Sequence, residues 1–206
     1  MKSRLPILIA IVAAAVVAVA AVGVVFATRG EDPPQLHAVP YQTPLESPAT
    51  RGRDSLGQPV SVPRDGRPAV VTFLFSHCPT VCPLVGSEIA AALDLLPAAT
   101  QKDVDVVAIS VDPRGDTRPA VTAFLEKHRL TGRMRYLVGT RAELEPLWRA
   151  WSIEAQPDDA DATQSMHTAR VVLIDRKGRQ LGSYPGGVPI KAQDLADDIA
   201  ALVAAK

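Results

Sequence analysis

The sequence predicts an α/β fold built on a largely parallel sheet, and three observations predict it. Two β-branched runs, residues 69–75 and 104–111, read as buried strands. Each is followed by apolar residues at helical spacing: Val81, Val85, Ile89, Leu93 and Leu96 after the first, Val121, Phe124 and Leu125 after the second. Two further strand-like runs, 169–174 and 180–184, then turn back on each other around Asp175-Arg176-Lys177-Gly178. Strands alternating with helices give a sheet covered by helices, with chemistry outside the carboxyl ends of its strands.

The elements are justified in chain order. Lys2 and Arg4 precede an uncharged run, residues 5–27, rich in Ala, Val and Ile. At about 1.5 Å per helical residue this run reaches the roughly 30 Å of a bilayer's hydrocarbon core. It is expected to be a single transmembrane anchor at the cell membrane, with residues 1–4 cytoplasmic and the remainder outside the cytoplasm. A cleaved signal peptide is the rival reading, since Ala18-Val19-Ala20 resembles a cleavage site. No cysteine follows the run, which excludes a lipoprotein anchor. Residues 28–47 turn to Pro, Gly, Gln and acidic residues and are expected to form an extended linker, with His37 solvated in it. The folded domain is expected over 48–206.

That domain opens with an expected hairpin over 50–62, turning at Leu56-Gly57-Gln58. The first buried strand and its helix follow, then the second strand, which ends in Asp112-Pro113-Arg114-Gly115-Asp116-Thr117. This turn caps the next helix. Residues 135–138 make a short strand, and Thr140-Arg141-Ala142-Glu143 is a capping box opening a helix that runs to Trp148 and Trp151. Residues 154–165 read as a polar surface loop. The hairpin at 169–184 and a last helix with Leu195, Ile199 and Leu202 on one face close the chain. The order β-α-β-α, an inserted strand and helix, then β-β-α is that of a thioredoxin-like α/β sandwich with an N-terminal hairpin.

The chain's two cysteines, Cys78 and Cys82, fall where the first strand hands over to its helix. The spacing lets both sulfurs lie on one side of a first turn beginning near Pro79, where unpaired N–H groups and the helix dipole favour thiolate. Such a dithiol exchanges disulfides or binds a soft metal ion. A structural staple is the plain alternative, but a loop this short closes little chain entropy. Lys and Arg number 22 against 22 Asp and Glu, a net charge of zero that gives no support to nucleic-acid binding.

The run Phe73-Leu74-Phe75-Ser76-His77-Cys78-Pro79-Thr80-Val81-Cys82-Pro83 resembles the signature of the Sco (SenC) family of copper-binding assembly proteins. Ser110-Val111-Asp112-Pro113 with Asp116-Thr117 matches a second motif of that family, and His167 matches its distal histidine. The similarity runs from about Ser47 to the C-terminus. It implies that Cys78, Cys82 and His167 bind copper, for delivery to the binuclear copper centre of cytochrome c oxidase subunit II, with a separate protein as copper donor. Thiolates select Cu(I), and imidazole supports Cu(II) as well. Two positions depart from the pattern: Thr80 and Met166 stand where the family usually carries acidic residues. Met166 is expected to pack, His77 to lie on the surface, and His128 to be the exposed end of a helix.

The alternative function is a thiol–disulfide reductase that keeps the subunit II cysteines reduced, with Cys78 and Cys82 as its redox pair. Against it, the cysteine spacing is one residue longer than in thioredoxins, and Thr168-Ala169-Arg170 lacks their proline. A peroxiredoxin is excluded, because Phe75 stands where its threonine would be.

Overall fold

The computed structural model describes residues 34–205 except 159, 162 and 164. Eight strands form one mixed sheet in the order β1-β10-β9-β4-β5-β6-β2-β3. At its centre are β4 (Ala69–Leu74), buried at every position, and β5 (Asp105–Ser110), which pair in parallel from Ala69 and Asp105 onward. On one side β4 meets β9 (Arg170–Ile174) antiparallel, and β9 pairs with β10 (Arg179–Pro185) as the expected hairpin. On the other side β6 (Arg135–Val138) joins β5 in parallel and carries β2 (Thr50–Asp54), which forms the expected hairpin with β3 (Pro59–Val62).

The helices are α1 (Val81–Leu95), α2 (Ala98–Asp103), α3 (Arg118–Lys127), α4 (Arg141–Ala150) and α5 (Ala192–Ala204). Helix α1 packs on α5, and Trp151, just beyond α4, sets its ring edge against Phe73 at 5.8 Å. The capping box at Thr140 and Glu143 is formed from both sides. Thr117 caps α3 by accepting from the Ala120 N–H. The strand and helix order is the thioredoxin-like sandwich expected from the sequence.

Four expectations need correction. The linker over 28–47 becomes a strand from Val39: β1 (Val39–Glu46) pairs antiparallel with β10 at the sheet edge. Its approach is so close that a Cβ on Gly182 would come within 2.6 Å of the Val39 carbonyl oxygen. Just before β1, the His37 and Ala38 N–H groups both donate to the Asp198 carboxylate of α5, at 2.7 and 3.0 Å, and the Tyr184 hydroxyl donates to it at 2.6 Å. The folded unit therefore begins at Pro34. Pro40 and Pro44 give this stretch the composition of a tether, yet edge strands tolerate proline.

The other three corrections are local. The cysteine helix starts at Val81, two residues later than expected, because Cys78 is held in a turn by its N–H donating to the Phe75 carbonyl at 3.2 Å. His128 is buried, its ring 4.5 Å from Phe124 and its Nδ1 3.0 Å from the Ser87 hydroxyl. Met166 does not pack: it is 71% exposed. Among the described residues no helix is long and apolar enough to cross a membrane, and residues 5–27 lie outside them.

Candidate metal centre

The centre sits at the carboxyl ends of β4 and β5. Strand β4 ends at Leu74, and Phe75 to Thr80 turn the chain into α1. The buried stripe of α1 is Cys82, Gly86, Ile89, Ala90 and Leu93, so Cys82 is the first core residue of the helix and its sulfur points inward. Val81 and Val85 are only half-buried. Pro83 is tolerated at the third helical position because that N–H has no intrahelical partner.

Thr80 precedes the helix but makes no side-chain cap. The Cys78 sulfur takes over that task, accepting from the Cys82 N–H at 3.4 Å. Both cysteines are free thiols, Cys82 fully buried and Cys78 at 9% exposure. The hydrogen bond from the Cys82 thiol brings Cys78 down to about 5, against the opposing effect of burial and with help from the N–H groups of Cys82, Thr80 and Val81. The same pairing, with burial, pushes Cys82 up. The pairing thus favours loss of a proton from Cys78 over loss from Cys82.

His167 reaches this point from β8 (Met166–His167), a two-residue strand paired with β7 (Ala155–Gln156) inside the segment expected to be plain loop. Its ring stands edge-on to Phe75, centroids 5.6 Å apart. Nδ1 lies 3.1 Å from the Thr168 carbonyl oxygen. A carbonyl can only accept, so Nδ1 carries the proton and Nε2 keeps its lone pair. Burial lowers the imidazole's basicity, against the opposing effect of the Thr168 carbonyl. Nε2 is 3.8 Å from the Cys82 sulfur. Both atoms are of metal-ligating type, and a soft metal ion held there would be bound by the Cys82 sulfur and the His167 Nε2. Among the described residues no three or more His, Cys, Asp or Glu side chains are gathered closely enough to hold a metal ion as they stand. Cys82 Sγ and His167 Nε2 thus face each other, and the Cys78 sulfur lies at the start of the same helix turn, accepting from the Cys82 N–H.

The structure thus brings together the three residues singled out in the sequence, although 85 positions separate Cys82 from His167. His77 is exposed, with its Nδ1 3.2 Å from the Ser76 hydroxyl and its ring beside Gly115. Sequence reasoning treated Asp116 only as part of a capping turn. It is in fact a buried carboxylate whose Oδ1 accepts from the Ser76 N–H at 2.7 Å, and whose Oδ2 accepts from the hydroxyls of Ser110 at 2.6 Å and Tyr136 at 3.1 Å. Burial pushes it up to about 6, although the hydrogen bonds from Ser110 and Ser76 oppose the shift. Asp112 is also buried; its Oδ1 accepts from the Gly115 N–H at 2.9 Å, while its Oδ2 has no hydrogen-bond partner. A Cβ on Gly115 would meet that oxygen at 2.0 Å, so the turn requires glycine there.

Comparison with known proteins places this geometry. The chain is 37% identical over 114 residues to Protein SenC of Rhodobacter capsulatus, a stretch covering 54% of this chain and 50% of SenC. It is 29% identical over 125 residues to the human mitochondrial Protein SCO1 homolog, covering 58% of this chain and 40% of that protein. The matched stretches thus span half or less of these curated relatives. The structure of Bradyrhizobium japonicum ScoI with copper bound superposes with a TM-score of 0.62 at 26% identity, covering 77% of this chain and 99% of ScoI. The SCO1/SenC family model matches residues 54–204, well over half of the sequence. The chain belongs to the SCO1/SenC family.

Proposed function

We propose that the chain is a copper chaperone: it binds copper through Cys78, Cys82 and His167 and delivers it to the binuclear copper centre of cytochrome c oxidase subunit II. The observation that carries this reading is the placement of the His167 imidazole, with Nδ1 at the Thr168 carbonyl oxygen and Nε2 within 3.8 Å of the Cys82 sulfur. Disulfide exchange needs only the two sulfurs, whereas a soft metal ion gains a third ligand from this nitrogen. ScoI, solved with copper bound, supports the choice of metal. Two thiolates and one imidazole suit Cu(I) and accommodate Cu(II), and three ligands leave a coordination position at which a donor or acceptor protein would present its own ligand. Residues 5–27 would hold the domain at the outer face of the cell membrane, with residues 1–4 in the cytoplasm.

The test is the copper stoichiometry and coordination of the reduced full-length chain. One copper per chain, with both sulfur and nitrogen ligands, is the expected result; copper bound without a nitrogen ligand removes His167 from the centre. One observation favours the second reading, a dithiol reductase acting on subunit II: the lowered Cys78 thiol is suited to attack a disulfide. A His167→Ala chain that loses copper but still supports oxidase assembly decides for that reading.

A further inference from the structure

We propose that Asp116 is a positioning residue of this centre: its carboxylate fixes the turn that carries Cys78, and its charge biases the copper oxidation state that the two sulfurs prefer. The inference rests on the copper reading of the site. It begins with where the carboxylate's three donors come from. Ser110 ends β5 and Tyr136 lies in β6, so Oδ2 is fastened to two strands of the sheet through their hydroxyls, at 2.6 and 3.1 Å. Oδ1 accepts at 2.7 Å from the N–H of Ser76, two residues before Cys78, inside the turn closed by the Cys78 N–H on the Phe75 carbonyl. The cysteine turn is thereby referenced to the rigid part of the molecule by one side chain.

The charge is the second half of the inference. All three donors are neutral, so a buried carboxylate stands beside the centre with no cation among these partners. Its Oδ1 is one hydrogen bond from the backbone that leads into Cys78, so the charge stands close to the cysteine turn. Two thiolates and Cu(I) sum to one negative charge, while two thiolates and Cu(II) sum to zero. A neighbouring negative charge in a poorly solvated interior raises the energy of the more negative assembly. Asp116 therefore shifts the balance toward Cu(II), and does so without touching the metal.

Asp116→Asn separates the two effects, because an amide oxygen still accepts from the Ser76 N–H while the hydroxyls of Ser110 and Tyr136 can turn to accept from the amide nitrogen. In the full-length chain in detergent, competition titrations with Cu(I) and Cu(II) chelators are expected to show the Cu(I)-to-Cu(II) affinity ratio rising about tenfold. That corresponds to about 59 mV in a one-electron potential. Hydrogen exchange of the Ser76 amide in the copper-free chain should stay slow in Asp116→Asn. In Asp116→Ala it should lose protection, and affinity for both oxidation states should fall about tenfold or more, the usual cost of losing a group that orients ligands. An unchanged affinity ratio in the asparagine variant overturns the charge effect. Slow exchange of Ser76 in a folded alanine variant overturns the positioning; if that variant fails to fold, Asp116→Leu at the same site takes its place. Failure of the unmodified chain to bind copper overturns the copper reading instead, and the Ser76 exchange measurement still judges the positioning.

Discussion

Two buried carboxylates do the same chemical job at different places in this molecule. Asp116 takes one backbone N–H and two hydroxyls beside the cysteines; Asp198 takes two backbone N–H groups and the Tyr184 hydroxyl beside the first strand. Each uses a tyrosine, and each ties an irregular stretch of backbone to a regular element. They differ in what the stretch carries. Asp116 restrains a turn that bears a proposed ligand, whereas Asp198 restrains the entry of the chain into β1. The pair shows that a satisfied buried carboxylate is a local fastener, and that its importance for function depends on its cargo.

The largest expected effect defines the site end of this comparison. Cys78→Ser and Cys82→Ser should each abolish copper binding by the reduced chain, since a protonated hydroxyl is a hard, poor ligand for Cu(I). Stoichiometry by metal analysis after gel filtration checks this, and full loading of either variant breaks the assignment. The next effect lies at the other end. Asp198→Ala leaves two N–H groups and a hydroxyl without their acceptor, and should lower stability in urea unfolding by about 3 kcal/mol. Copper affinity should not change; a matching loss of affinity would erase the distinction between the two fasteners.

A smaller effect sharpens the site end. His167→Ala removes one of three proposed ligands and should weaken copper by at least about 10–100-fold, roughly 1.4–2.7 kcal/mol, in competition against a Cu(I) chelator. The dithiol's reduction potential in glutathione buffers should stay where it is, because exchange needs only the sulfurs. The mildest test is a titration of thiolate absorbance in the copper-free chain. One thiolate should appear with a midpoint near 5, and Cys82→Ala should move that midpoint upward by removing the thiol that donates to Cys78. The folded value lies below that of an ordinary thiol. Cys78 therefore stabilises the fold most above the ordinary thiol range, and the contribution is lost as pH falls through about 5.

How far the sequence disclosed all this depends on the range over which each signal acts. The capping box at Thr140 and the hairpin turn at Gly57 were legible because everything they need lies within a few residues. Strand β1 was not legible: its pairing partner is more than a hundred residues away, and Pro40 and Pro44 mimic a tether. His128 looked like an exposed helix end because Phe124 and Ser87, which bury it, meet only in three dimensions. Cys78 and Cys82 were plain from their spacing. His167 was placed in the site by resemblance alone, and its fixed tautomer, set by the carbonyl of the next residue, needed coordinates. Asp116 was seen as a turn residue because nothing local reveals that Ser76, Ser110 and Tyr136 converge on it.

The prolines that obscured β1 have a consequence for how the molecule behaves among its own copies. The sheet has two outer strands, β1 and β3, and unpaired outer strands invite a neighbouring chain to add itself. On β1 the register breaks between Pro40 and Leu45, with Pro44 between them. On β3, Pro59 opens the strand and Pro63 directly follows it. Each proline removes an N–H that a ladder with another strand would use. Val39 and Leu45, exposed apolar residues on the first of these borders, would otherwise make it a sticky one. Copies of the folded domain are thereby kept from joining edge to edge.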